Sequence, residues 1–295
     1  NEFLYNKAID SANLVDEQIK SYTLSIETLG NLEAIADPEI PIEERYKALN
    51  VERGRLQFST IGLADIQGNL LLNNGTTVDV YQEEYFRRAQ AGRTYFSEPI
   101  RNTATGKVEI VVAAPLKHKG VIVGVVVAYK PAEDFYKIAD NIKFGENGFA
   151  YILNETVDIV SHPTVIGRAT IATDSDENPN FSGLKDRVPS NIVDEVIEIE
   201  EKIKAGEPGI GKYAEKDKIV HIGFAPIKSK GWTLVVSIDE SEVLSGLNSL
   251  KQTLLITMAI AILVGILFSL LFSRNLTKPI AKITDCAYSL SQLDF

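Results

Sequence analysis

The sequence predicts an α+β protein: a long N-terminal helix, two tandem modules built on antiparallel sheets, a membrane-spanning helix and the start of one more helix. Three observations carry this prediction. Apolar residues recur at helical spacing through the first 26 positions, a hairpin-forming heptapeptide occurs twice, and residues 253 to 272 carry no charge. A chain of 295 residues accommodates about two domains.

Residues 1–55 are predicted as a long helical stalk and a second helix. Phe3, Leu4, Ala8, Ile9, Ala12, Val15, Ile19, Tyr22 and Ile26 form one apolar stripe. Residues 56–140 make the first module. LADIQGNLLLNN from Leu63 reads as a hairpin with a polar turn, and APLKHKG (Ala114–Gly120) followed by VIVGVVVAY reads as a second. Residues 141–240 repeat the plan with YILNETVDIVSHP from Tyr151 and with APIKSKG (Ala225–Gly231) followed by WTLVVSI. Six of the seven heptapeptide positions match or are conservative. The second copy carries an insertion. It contains the polar stretch TDSDENPNFSG from Thr173 and a helical pattern, Ile192, Val193, Val196, Ile197, Ile199 and Ile203, that stops at Gly206.

Residues 251–273 are predicted to cross a membrane. The 20 uncharged positions from Thr253 to Phe272, at about 1.5 Å each, match a hydrocarbon core of roughly 30 Å. Arg274, Lys278 and Lys282 follow the span, whereas Asp239, Glu240 and Glu242 precede it, so residues 274–295 are expected in the cytoplasm and residues 1–250 outside it. An exported N-terminal part implies a removed signal peptide or an uncleaved helix upstream of Asn1. In residues 274–295, Pro279 opens a helix whose apolar positions Ile280, Ile283, Ala287 and Leu290 follow the spacing of a coiled-coil seam.

Composition narrows the function. With 30 basic against 40 acidic residues the net charge is −10, which argues against a nucleic-acid partner, because such binding draws on basic side chains displacing counterions. Three histidines and one cysteine make a zinc site improbable, and neither a metal nor a cofactor is expected. Cys286 reads as a small packing residue, although a cytoplasmic thiol could report redox state. No Gly-rich phosphate loop and no G-x-S-x-G elbow is present. The chain is not expected to be an enzyme and has no predicted catalytic residue.

EEYFRRAQAGRTYFSEPIRNTATGKVEIVVAAPL (Glu83–Leu116), GENGFAYIL (Gly145–Leu153), SHPTVIG (Ser161–Gly167) and FAPIKSKGWTLVVSI (Phe224–Ile238) resemble the double Cache sensor domain of bacterial transmembrane receptors. The helix after the span resembles the first helix of a HAMP linker, and SLSQLDF looks most like methyl-accepting chemotaxis proteins. The resemblance implies PAS-like (Cache) modules, 56–140 membrane-distal and 141–240 membrane-proximal. It further implies a small-molecule ligand in the distal module, a homodimer, membrane lipid around the span and a cytoplasmic signalling domain beyond residue 295. A histidine kinase or diguanylate cyclase output fits the same layout, and a membrane-anchored extracellular hydrolase is a more distant alternative.

Family members that bind amino acids carry an Arg-x-Trp-Tyr type segment and an Asp at the end of the last strand. Aligning EEYF puts Glu83 where the Arg belongs and Tyr85 and Phe86 at the aromatic positions, while Tyr129 replaces the Asp. Both charged anchors are missing. The expected ligand-binding residues are therefore Tyr81, Glu83, Tyr85, Phe86, Tyr95 and Tyr129, with Arg101 nearby. Aromatic rings around a carboxylate suit a cationic or quaternary amine, but the same rings would equally serve as core or rim, and Glu83 or Glu84 as a helix-start residue. Arg87, Arg88 and Arg93 are expected on the surface of the following helix. His162, in Ser161-His162-Pro163, is expected to be a structural hydrogen-bonder.

Overall fold

The computed structural model describes residues 2–102, 106–162, 193–215, 218–272, 282–284 and 288. Helix α1 (Glu2–Gly30) buries Leu4, Ala8, Ala12, Val15, Ile19, Ile26 and Leu29 along one side. The stripe is as its spacing predicts, except that Phe3 is largely exposed and touches Phe144 at the edge. A short helix α2 (Glu33–Ala36) and helix α3 (Ile42–Leu56) follow. Gln57, left-handed at φ 59°, closes α3 by donating its N–H to the carbonyls of Arg53 and Gly54.

The first sheet comprises β1 (Thr60–Ala64), β2 (Asn69–Leu72), β3 (Thr77–Asp79), β4 (Tyr95–Phe96), β5 (Ile100–Arg101), β6 (Val108–His118) and β7 (Val121–Pro131), with helix α4 (Glu84–Gln90) between β3 and β4. Its order is β3-β2-β1-β7-β6-β4, with β5 also on β6, and every pairing is antiparallel. After helix α5 (Ala132–Asp140) comes the second sheet, β8 (Phe149–Leu153), β9 (Ile159–Ser161), β10 (Gly209–Glu215), β11 (Lys218–Ile227) and β12 (Trp232–Asp239), in the order β10-β11-β12-β8-β9. Reading β9-β8-β12-β11-β10 against β2-β1-β7-β6-β4 gives one plan used twice, which is the repeat visible in the two heptapeptides. Their turns end on Gly120 and Gly231, at φ 80° and 74°, where a side chain would be strained. Helix α6 (Val193–Lys204) stops before Gly206, as predicted. TDSDENPNFSG and most of SHPTVIG lie outside the described residues.

Alternation along the strands sorts side chains onto two faces. Ile110, Val112, Ala114 and Leu116 of β6, with Val126 and Ala128 of β7, turn toward α1, whereas Val111, Ala113, Val125, Val127 and Tyr129 turn toward α4. The core under α1 runs on into the second sheet through Ala150, Ile152, Leu234 and Val236, so a single helix closes one face of both sheets. Phe96 of β4, Phe135 of α5 and Trp232 of β12 join the sheets, with ring centroids 5.7 to 6.1 Å apart. Each such aromatic pair adds about 0.5–1.5 kcal/mol beyond area burial. Close approach of α1 requires glycine at two places. A Cβ on Gly30 would lie 2.2 Å from the Pro115 carbonyl oxygen, and one on Gly223 would lie 2.3 Å from that of Leu4.

Helix α7 (Glu240–Phe272) contains a stretch, Lys251–Phe272, long and apolar enough to cross a membrane. Its leucines, isoleucines and phenylalanines are exposed all round, the pattern of a helix whose solvent is hydrocarbon. Residues 282–284 and 288 are helical. Of the residues that carry the HAMP-like reading, Pro279, Ile280, Ala287 and Leu290 lie outside the described residues, as does Cys286.

Candidate functional site

Strand β7 places Tyr129 on the α4 side of the first sheet, and the first turn of α4 places Tyr85 opposite it. Their hydroxyls lie 3.2 Å apart, and both residues are buried. They form part of the floor of a cavity of about 160 Å³, with Leu72, Val80 and Asn102. Asp79, Glu83 and Arg101 are exposed on its rim. Glu83 is the residue before α4 and makes no capping bond with its side chain. Asp79 accepts the backbone N–H of Tyr81 at 2.9 Å, and Arg101 donates from Nη1 to the Gly106 carbonyl at 2.8 Å.

A buried carboxylate bonds Asn102 without itself lining the cavity. Glu109 of β6 accepts hydrogen bonds from Ser59 Oγ at 2.8 Å and Asn102 Nδ2 at 2.7 Å. Ser59 Oγ also lies 2.9 Å from the Tyr129 carbonyl, and the Ser59 N–H donates to that same oxygen at 2.9 Å. Burial pushes the Tyr129 phenol up to about 12, and the charges of Glu109 and Glu83 add to this while the Tyr85 hydrogen bond opposes it. Tyr85 is also raised, by burial first and then by Tyr129 and Glu83. Both phenols are neutral at physiological pH. Two carboxylates against one guanidinium make the rim attractive to a cation, and the hydroxyls below can accept hydrogen bonds from it.

Of the expected site residues, the fold brings Glu83, Tyr85, Arg101 and Tyr129 to this cavity and sends the other three elsewhere. Phe86 is fully buried on the sheet-facing side of α4 and is core. Tyr81 is half exposed outside the cavity, its ring 6.2 Å from Phe86. Tyr95 lines a different cavity, because β4 pairs beyond β6, away from β7. Arg93 is likewise not on the helix: α4 ends at Gln90, and Gly92 at φ 89° turns the chain out of it. Asp79, Asn102 and Glu109 were not foreseen. The sequence signal for Glu109 was a lone charge beside the apolar run of β6.

In the second sheet, the His162 ring lies 5.2 Å from Phe149 and 5.5 Å from Tyr151. Among the described residues one trio, Glu33, Asp37 and His118, brings possible metal-ligand atoms within 4.8 Å of one another. His118 Nε2 is 3.9 Å from Asp37, and Arg45 adds its positive charge near Asp37.

Residues 2–247 match the profile of the Cache domain family (dCache_1). Among curated proteins, the chain is similar to the methyl-accepting chemotaxis proteins TlpB and TlpA of Bacillus subtilis. It is 23% identical to TlpB over 206 residues (70% of this chain, 27% of TlpB) and 22% identical to TlpA over 217 residues (72% and 28%). The chain thus spans about a quarter of the length of these relatives. Among solved structures, the ligand-binding domain of the Pseudomonas fluorescens chemoreceptor CtaA, in complex with L-alanine, superposes with a TM-score of 0.63 at 19% identity over 82% of this chain and 98% of that one. The ligand-binding domain of the Pseudomonas aeruginosa amino acid chemoreceptor PctB, with L-Arg, gives 0.61 at 18% identity over 82% and 96%. The sensory domain of Campylobacter jejuni Tlp3, with isoleucine, gives 0.59 at 11% identity over 82% and 93%. At these identities the likeness is one of fold.

Proposed function

The chain belongs to the Cache domain family, and we propose that it is the sensory and membrane-spanning region of a chemotaxis receptor that binds a small amine in the first-sheet cavity. On this reading residues 56–140 are the membrane-distal module, 141–240 the proximal one, and residues 1–250 face outward. Binding shifts the sheets against α1, and the displacement passes through α7 to a cytoplasmic signalling domain in a homodimer. A ligand drives this only through different affinities for two states, typically worth about 1–3 kcal/mol. The chemotaxis relatives favour a chemoreceptor output over a kinase or cyclase, and the reading assigns the chain no catalysis of its own.

The observation that carries the amine is the pairing of two neutral phenols in the floor with Asp79 and Glu83 on the rim. A second reading, a zwitterionic amino acid of the kind bound by CtaA and PctB, is favoured by Arg101 on the same rim, which could hold a carboxylate. Calorimetric titration of the full chain in lipid nanodiscs with ethanolamine, choline and L-serine separates the two, since ethanolamine is L-serine without its carboxylate. The amine reading expects ethanolamine or choline to bind, with Glu83→Gln weakening it roughly tenfold. Binding of L-serine alone, lost in Arg101→Gln and kept in Glu83→Gln, would replace it with the zwitterion.

A further inference from the structure

A second cavity, of about 410 Å³, opens where α1, the segment from α4 into β4, and the turns β8–β9 and β11–β12 converge. Its wall carries three cations, Arg88, Arg93 and Lys230, and two carboxylates, Glu27 and Glu155. Arg88 is tied to Glu84 at 3.1 Å. The Lys230 ammonium lies over the Tyr95 ring, 4.5 Å from its centroid, and 5.3 Å from that of Trp232. Among the described residues it donates no hydrogen bond and joins no ion pair, and the same holds for the Arg93 side chain.

A half-buried ammonium on an aromatic floor has given up part of its hydration, and among the described residues no carboxylate stands within ion-pair distance of it. Burial lowers its proton affinity; the carboxylates of Glu98, Glu155 and Glu84 act against this, and the nearby guanidinium of Arg88 adds to it. Two unpaired cations on one wall are complementary to an anion. Glu27 and Glu155 on the wall, with Glu84 and Glu98 close to Lys230, disfavour a second negative charge. We propose that this cavity is a separate binding site for a small monocarboxylate, with Lys230 and Arg93 as its charge partners. Because Arg93 and Tyr95 belong to the first-sheet region, Lys230 to the second sheet and Glu27 to α1, the bound anion would bridge the parts whose relative movement a receptor must control.

The test uses the full chain in nanodiscs, with propionate as the probe, its neutral isostere propionamide as the control, and sodium chloride to match ionic strength. Propionate is expected to raise the unfolding midpoint above the salt control, and propionamide is not. Lys230→Gln and Arg93→Gln should each weaken the apparent affinity roughly tenfold to a hundredfold, while Glu83→Gln, at the other cavity, leaves it unchanged. Arg93 is exposed, so its variant decides the matter even if Lys230→Gln folds poorly. Equal shifts with propionate and propionamide, no shift with either, or a propionate response that survives in Arg93→Gln would overturn the proposal. Failure of the amine titration would leave these outcomes unaltered.

Discussion

Replacing Asp16 with alanine removes the tie between the stalk helix and the β11–β12 turn, and the size of the loss follows from its contacts. The residue is 4% exposed. Its Oδ1 accepts the Ser229 N–H at 2.7 Å, and its Oδ2 faces Lys20 Nζ at 2.8 Å. A hydrogen bond to a charged group contributes about 1.5–3 kcal/mol. Ser229 is solvent-accessible, so water partly replaces the acceptor and the low end applies. The Lys20 pair lies half in solvent and adds about 0.3–0.5 kcal/mol. Asp16→Ala should therefore cost about 2 kcal/mol, and Asp16→Asn about half of that, because the amide oxygen still accepts. Burial pushes the Asp16 carboxyl up, but hydrogen bonds from Lys20 and Ser229 outweigh it and hold the group below the ordinary carboxylate range. A depressed folded value means that the stabilisation is complete above the unfolded value of about 3.9 and is lost as pH falls through the folded one. Thermal unfolding of the full chain, followed by circular dichroism from neutral pH into acid, reads both effects. An alanine variant within about 0.5 kcal/mol of wild type, or a difference that persists undiminished into strong acid, would refute the reasoning.

Trp232→Ala should cost about 3–5 kcal/mol, since a 1% exposed indole packed on Phe96 and Phe135 leaves a cavity between the sheets; denaturant unfolding measures it, and a loss under about 1 kcal/mol contradicts the packing. Gly30→Ala should cost about 1–3 kcal/mol, because the new methyl meets a backbone oxygen that cannot swing aside, and it should lower the melting midpoint in the same assay. The raised Tyr129 phenol predicts alkaline sensitivity: the unfolded chain ionises near pH 10 and the folded one at about 12, so stability falls as pH rises through that window. Tyr129→Phe should flatten part of the fall, and an unchanged alkaline profile would contradict it.

The architecture was legible because its signals are local and repeated. Hairpins announced themselves by β-branched runs around Gly120 and Gly231, and the membrane-length apolar helix by its length and its lack of charge. The cavity was legible in part. Glu83, Tyr85 and Tyr129 were placed by the family resemblance, through the EEYF alignment and the end of the last strand, but such an alignment does not say which aromatic of an adjacent pair faces a cavity. Phe86 went to the core because it lies on the sheet-facing side of α4, and Tyr95 went to the other cavity because β4 pairs at the far edge of the sheet, a long-range fact with no local mark. Asp16 carries a local mark in the sequence: a carboxylate at positions i+4 from Ala12 and i−3 from Ile19 stands within the apolar stripe of α1. Asn102 and Asp79 reach the cavity only through the pairing of β5 and β3.

Hydrogen exchange of the full chain in nanodiscs, with and without saturating ethanolamine or choline, tests most directly whether the first-sheet cavity is the sensing site. The expected result is slowed exchange at residues 79–86, 100–102 and 125–131, which line or back the cavity, with a smaller change along α1. Protection confined to the second sheet, or none with either amine, would contradict it.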